Sequence, residues 1–187
     1  MTDLRECEKH EENLYIVGFM GTGKTTAGRR VASRLNMRFL DVDSEIERKE
    51  GVSISQIFEK KGENAFRLME RNFIESEHPR SGCVISCGGG LVVPEGMPEL
   101  LRSRGVVVCL WATPDTILAR TKENSSRPLL EAPDPLRRIQ ELLDQREPRY
   151  LKAGNLVSTT DRSLDEVVEA VLRLYKSSAN RTVDTNS

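Results

Sequence analysis

The sequence of 187 residues predicts an α/β domain: a five-stranded, mostly parallel sheet with helices packed on it. Three observations carry that expectation. Short apolar runs begin near residues 14, 39, 83, 106 and 156, and stretches of helical length and periodicity separate them. A glycine-rich loop, Gly18 to Thr25, lies where the first run gives way to a helical pattern. Two carboxylates and a run of three glycines follow the second and third runs directly, at the strand ends where an open α/β sheet binds its ligands.

Taken in order, residues 14–17 form a buried strand, and Ala27, Val31 and Leu35 recur at helical spacing after the glycine-rich loop. Residues 39–43 read as a second strand ending on Asp41 and Asp43, followed by a charged helix over 44–50 that Gly51 stops. Ser53 and Gln56 have capping-box spacing, and Gly62 begins a longer amphipathic helix whose buried stripe is Phe66, Met69, Phe73 and Ile74. The third strand, 83–86, is broken by Gly88, Gly89 and Gly90, which belong in a loop that something approaches closely. A helix over 95–104 and a strand over 106–111 come next. Thr113 then caps a helix with proline at its first position.

Residues 121–135 hold three prolines and little periodicity, the pattern of a functional loop such as a mobile lid. A polar helix follows to about residue 147, then a strand over 156–159. Ser163 and Glu166 cap a last amphipathic helix through Tyr175. Residues 1–12 are expected to be a disordered extension, 13–176 a single domain, and 177–187 a disordered polar tail.

Lys and Arg number 28 against 29 Asp and Glu, for a formal charge of −1 and a pI near 6.2, which argues against a general nucleic-acid binder. No apolar run has the length of a membrane span, so a soluble, cytoplasmic protein is expected. Cys7, Cys83, Cys87 and Cys109 have no zinc-site spacing and are expected to be reduced thiols.

The loop carries the chemistry. Gly18, Gly23, Lys24 and Thr25 fill every fixed position of G-x-x-x-x-G-K-[ST], a match that arises by accident on the order of once in a hundred chains this long. In such a P-loop, backbone N–H groups at Gly21, Thr22, Gly23 and Thr26 converge on phosphate oxygens at a helix N-terminus. Lys24 reaches the β- and γ-phosphates and the Thr25 hydroxyl ligates Mg2+. The motif alone establishes nucleotide binding. The second substrate has to be read from the two carboxylates, the triple-glycine turn and a set of arginines, which together suit a small hydroxylated acceptor with an anionic group.

From about residue 13 to residue 175 the chain resembles the shikimate kinases, of the nucleoside-monophosphate-kinase-like branch of P-loop proteins. The resemblance rests on the P-loop, Asp41-Val-Asp43, Gly62-Glu63 with Phe66-Arg67 and Glu70, Gly88-Gly89-Gly90, Arg127-Pro-Leu-Leu130 and Arg146-Glu-Pro-Arg-Tyr150. It implies a three-layer αβα P-loop kinase fold with a substrate-binding region near 43–80 and a lid near 121–135. It also implies transfer of the ATP γ-phosphoryl group to the 3-hydroxyl of shikimate, with Mg2+, by a monomer. Arg67 and Arg146 would clamp the shikimate carboxylate, since guanidinium pairs with carboxylate through two parallel bonds. Asp43 would hold the ring hydroxyls and accept the proton, or only orient them. Its plainer reading, a helix N-cap, suits Asp43 better than Asp41. Asp41, two residues earlier and so on the same side of an extended chain, would reach Mg2+ through water. Gly88, Gly89 and Gly90 would bring backbone N–H groups to the substrate. Arg127 would descend with the lid onto the transferring phosphoryl group, and Arg120 is either an adenine-stacking arginine or a solvated helix-end charge. A gluconate kinase, a nucleoside monophosphate kinase and a P-loop module without catalysis are the rival readings.

Overall fold

The computed structural model describes residues 12–122 and 133–183, with side chains described through residue 178. Five parallel strands form one sheet in the order β2-β3-β1-β4-β5. They are β1 (Asn13–Gly18), β2 (Arg38–Asp41), β3 (Cys83–Ser86), β4 (Gly105–Trp111) and β5 (Asn155–Ser158). The helices are α1 (Lys24–Leu35), α2 (Val42–Glu50), α3 (Ile54–Ser76), α4 (Met97–Arg104), α5 (Pro114–Thr121), α6 (Pro135–Ala153) and α7 (Leu164–Val183).

Alternation along the strands divides the helices between the two faces. Leu14 and Ile16 of β1, Val84 of β3, and Val106 and Val108 of β4 pack against Ala27 and Val31 of α1 and Val167, Val168 and Val171 of α7. Tyr15 and Val17, Ile85, and Val107 and Cys109 point the other way, onto residues of α2 through α6. The result is the expected three-layer αβα arrangement. Every residue of β1 is buried, because it pairs with β3 on one side and β4 on the other while helices cover both faces.

Several element boundaries differ from the sequence expectation. β2 stops at Asp41, and residues 42 and 43 belong to the first turn of α2. The cause is Asp41 itself, whose extended backbone and Oδ1, accepting from the Ser44 N–H at 3.3 Å, make it the N-cap. The cap is therefore Asp41 and not Asp43, and the two carboxylates do not lie on one side of an extended chain. α6 runs past Pro148 to Ala153, because buried Tyr150 and Ala153 anchor its last turn in the core. α7 continues through Val183, so residues 177–183 are helical and not a disordered tail; adding turns to an existing helix carries no nucleation cost. Glu12 is also ordered: it bridges to Ser81, and its carbonyl accepts the Tyr175 hydroxyl at 2.7 Å. Residues 1–11, 184–187 and most of the expected lid, including Arg127, lie outside the described residues. Among those described, no helix is long and apolar enough to cross a membrane, and Cys83, Cys87 and Cys109 are buried free thiols.

The capping expectations at Ser53, Thr113 and Ser163 hold. Ser53 and Gln56 form the full box at the start of α3, Thr113 caps α5, and Ser163 and Glu166 bond reciprocally before α7. α3 is two helical pieces joined at Gly62, whose φ of 79° and ψ of 170° interrupt the helix in a region that only glycine adopts readily.

Candidate active site

The site assembles at the carboxyl ends of β1, β2 and β3. The loop between β1 and α1 ends on Gly23, a left-handed N-cap with φ of 87°, so no side chain caps the first turn of α1. Thr22 is buried and turns its Oγ1 onto the Phe19 carbonyl at 2.8 Å, bracing the loop from inside. Lys24 donates from Nζ to the same carbonyl at 2.9 Å, which folds its ammonium over the loop. Gly21 is held at φ of 75°, and Thr26 is exposed on the first turn of α1.

Beside this cradle the Thr25 hydroxyl donates to Asp41 Oδ2 at 3.0 Å and lies 3.4 Å from Ser86 Oγ. These are hard oxygen donors, one of them anionic, on adjoining elements. That chemistry fits Mg2+, which takes few protein ligands and keeps several waters. Ser86 had no place in the sequence reading, although it sits in register with Asp41 across β2 and β3.

A second cluster lies deeper. Asp43, in the first turn of α2, and Glu70, on α3, each bury one carboxylate oxygen with no hydrogen-bond partner among the described residues. Both oxygens face Gly88: a Cβ there would stand 2.7 Å from Asp43 Oδ1 and 2.8 Å from Glu70 Oε1. Burial and the Asp41 carboxylate raise the Asp43 pKa, with Lys24 and Arg67 opposing. Glu70 is pushed up to about 7 by burial, against the pull of Arg67 and with a further push from Asp43.

Arg67 is gripped on both sides, donating to Glu70 Oε2 at 2.6 Å and to Glu63 Oε1 at 2.8 Å. Its half-buried guanidinium fills the space over Gly90, where a Cβ would come within 2.3 Å of Nη2. The triple-glycine turn is therefore glycine for side-chain reasons: Gly88 makes room for two carboxylates, Gly90 for the arginine, and Gly89 lies against the P-loop backbone at Met20. Arg146 of α6 approaches the same region, its guanidinium carbon 5.7 Å from the centre of the Phe19 ring. Tyr150, one turn on, donates its hydroxyl to the Gly89 carbonyl.

Arg120 stands at the other edge of the loop. It donates to Thr159 Oγ1 at 2.9 Å, to the Thr159 carbonyl at 2.8 Å and to the Gly21 carbonyl at 3.4 Å, tying the P-loop to the end of β5. It is thus bonded to protein while remaining exposed at the helix end. The structure brings together the predicted Gly21, Thr22, Gly23, Lys24, Thr25, Asp41, Asp43, Arg67, Gly88, Gly89, Gly90, Arg120 and Arg146. Sequence reasoning gave no role to Glu70, Ser86 or Tyr150; for Glu70 the signal was its place three residues after Arg67 on one helix.

The shikimate kinase family model matches residues 20–176. The chain belongs to the shikimate kinase family. The shikimate kinase of Caldanaerobacter subterraneus subsp. tengcongensis is 41% identical over 164 residues, covering 88% of this chain and 96% of that one. The solved shikimate kinase from Acinetobacter baumannii, in complex with shikimate, superposes with a TM-score of 0.83 at 38% identity, covering 89% of this chain and 94% of that one. A gluconokinase from Sinorhizobium meliloti reaches a TM-score of 0.64 at 17% identity over 95% of this chain and 99% of its own, which is a likeness of fold alone. Like its shikimate kinase relatives, the chain is an ATP-dependent phosphotransferase.

Proposed function

We propose that this chain transfers the γ-phosphoryl group of ATP to the 3-hydroxyl of shikimate, giving shikimate 3-phosphate and ADP on the way to chorismate and the aromatic amino acids. The observation that carries the reading is the second cluster: a half-buried arginine held by two carboxylates, facing a glycine turn and a carboxylate of raised pKa, directly beside a P-loop.

Arg67 and Arg146 bind the acceptor's carboxylate from two helices, which fixes the ring's orientation. The backbone of Gly88, Gly89 and Gly90 lies along the ring, and Asp43 holds the hydroxyl that reacts. As the acceptor oxygen forms its bond to the γ-phosphorus, the bond from phosphorus to the β-bridging oxygen breaks and ADP leaves. The hydroxyl proton passes to Asp43, whose raised pKa suits it to accept one. Lys24 and the N–H groups at the start of α1 stabilise the charge that builds on the phosphate oxygens. Thr25, and Asp41 through water, would hold Mg2+, which neutralises charge on the β- and γ-phosphates when bound. Arg127, outside the described residues, takes the role of a further cation over the transferring group. Arg120, bonded to Gly21 and Thr159, borders the place of the adenine.

The protein works as a monomer in the cytoplasm. In support, every group named in the reaction comes from this one chain, and its buried thiols are unpaired among the described residues. The test is Mg2+-dependent ADP release from ATP with shikimate, gluconate, AMP or no acceptor. Stimulation by shikimate alone is expected, abolished in Arg67→Ala and Arg146→Ala while ATP still binds. Stimulation by gluconate or AMP instead would replace the acceptor, and ATP binding with no stimulated turnover would sink the enzymatic reading.

A further inference from the structure

The three carbonyls of the glycine turn are satisfied in different ways. Gly88 O accepts from Leu91 N at 3.1 Å and Gly90 O from Val93 N at 3.0 Å, both within the turn. Gly89 O instead accepts from the Tyr150 hydroxyl, 61 residues away on α6. That hydroxyl is almost wholly buried, and burial raises its pKa. The charge of the Arg146 guanidinium, four residues earlier on the same face of α6, pulls the other way. Arg146 in turn covers the Phe19 ring, and the Phe19 carbonyl is the acceptor of Lys24 Nζ. Gly89 also sits against the P-loop, where a Cβ would stand 3.3 Å from Met20 N.

We propose that Tyr150 is a positioning residue for the acceptor: its hydroxyl ties α6 to the Gly89 carbonyl and so sets the spacing between the glycine turn and Arg146, the arginine that binds the carboxylate. The inference rests on the shikimate reading and adds a residue to it. A purely structural tyrosine would need only its ring, which fills core space between α6 and the sheet. A positioning tyrosine needs the oxygen, because without it the Gly89 carbonyl loses its partner and the helix that carries Arg146 loses its tie to the turn.

Tyr150→Phe keeps the ring and removes only that oxygen. In the full-length chain, the KM for shikimate is expected to rise about tenfold, while kcat and the KM for ATP stay within about twofold of the parent. Equilibrium binding of shikimate without nucleotide should weaken by the same factor, and binding of ADP should not change. An unchanged shikimate KM would overturn the proposal, and so would an ATP KM rising in step with it, since that is the signature of general loosening. Shikimate-dependent turnover of the parent protein is measured first; its absence would overturn the functional reading and not the role of Tyr150.

Discussion

Asp43 and Glu70 share a small buried space opened by the missing side chain of Gly88, and the two carboxyls behave differently because of what else each touches. Asp43 has no hydrogen bond on its buried oxygen among the described residues, and in the proposed reaction it holds the acceptor hydroxyl, so Asp43→Asn should lower kcat by about 10²- to 10⁴-fold, the usual worth of a general base. Shikimate KM should change much less; steady-state kinetics separates the two. Glu70 is bonded to Arg67 and also faces Asp43 of α2 and the Cys87 thiol after β3, while Glu63 shares the arginine from the same helix.

Its folded-state pKa of about 7 lies above the ordinary 4.5. The stability this contributes is therefore complete below pH 4.5 and lost as the pH rises through about 7. Binding has the opposite sense: the ionised form grips Arg67, so the KM for shikimate should rise as the pH falls through about 7. Glu70→Gln should show a raised KM with that pH dependence flattened. A pH profile of KM that is the same in both proteins would refute the coupling. The sequence marked Arg67 and Asp43 through their motifs. It could not show that Glu70 is buried with one oxygen unpartnered, because that follows from the meeting of α2, α3 and the glycine turn.

In the proposed reaction two elements carry the acceptor half of the site, and each contains a residue that disfavours a helix. In α3 the break at Gly62 lets the piece that begins at Glu63 take its own direction, with Glu63, Arg67 and Glu70 aligned on it at helical spacing. A Cβ at Gly62 would meet nothing within 4 Å, so the penalty of Gly62→Ala is conformational and not steric. It should cost about 1–3 kcal/mol in a denaturant titration and raise the shikimate KM more than the ATP KM. In α6 the interior proline, Pro148, lies between Arg146 and Tyr150 without ending the helix.

Element boundaries were legible where a capping residue stood alone, as at Ser53, Thr113 and Ser163. They were misread where two signals competed. Asp41-Val-Asp43 alternates like a strand, yet Asp41 is also a strong cap, and capping prevailed. At Pro148 local propensity argued for a stop, and the burial of Tyr150 and Ala153 overrode it.

At the scale of the molecule, chemistry and stability are separated along the strands. The site occupies their carboxyl ends, while Leu14, near the start of β1, is fully buried against the α1 and α7 side of the sheet. Leu14→Ala should cost about 2–5 kcal/mol with both KM values unchanged, as thermal melts paired with kinetics would show. The layered fold was legible from five apolar runs and one glycine-rich loop, since parallel strands need buried faces and crossover helices. The sheet order was not, because strand neighbours are chosen by contacts distant in sequence. That order has a consequence for how the chain is made. Leu14 pairs with Val84 on one side and Val106 on the other, so the first of these five strands to leave the ribosome is the middle strand of the finished sheet. The phosphate-binding loop is among the earliest parts of the site to be synthesised. It must nonetheless wait, as an unsupported glycine-rich segment, until more than half of the chain has emerged to flank it on both sides.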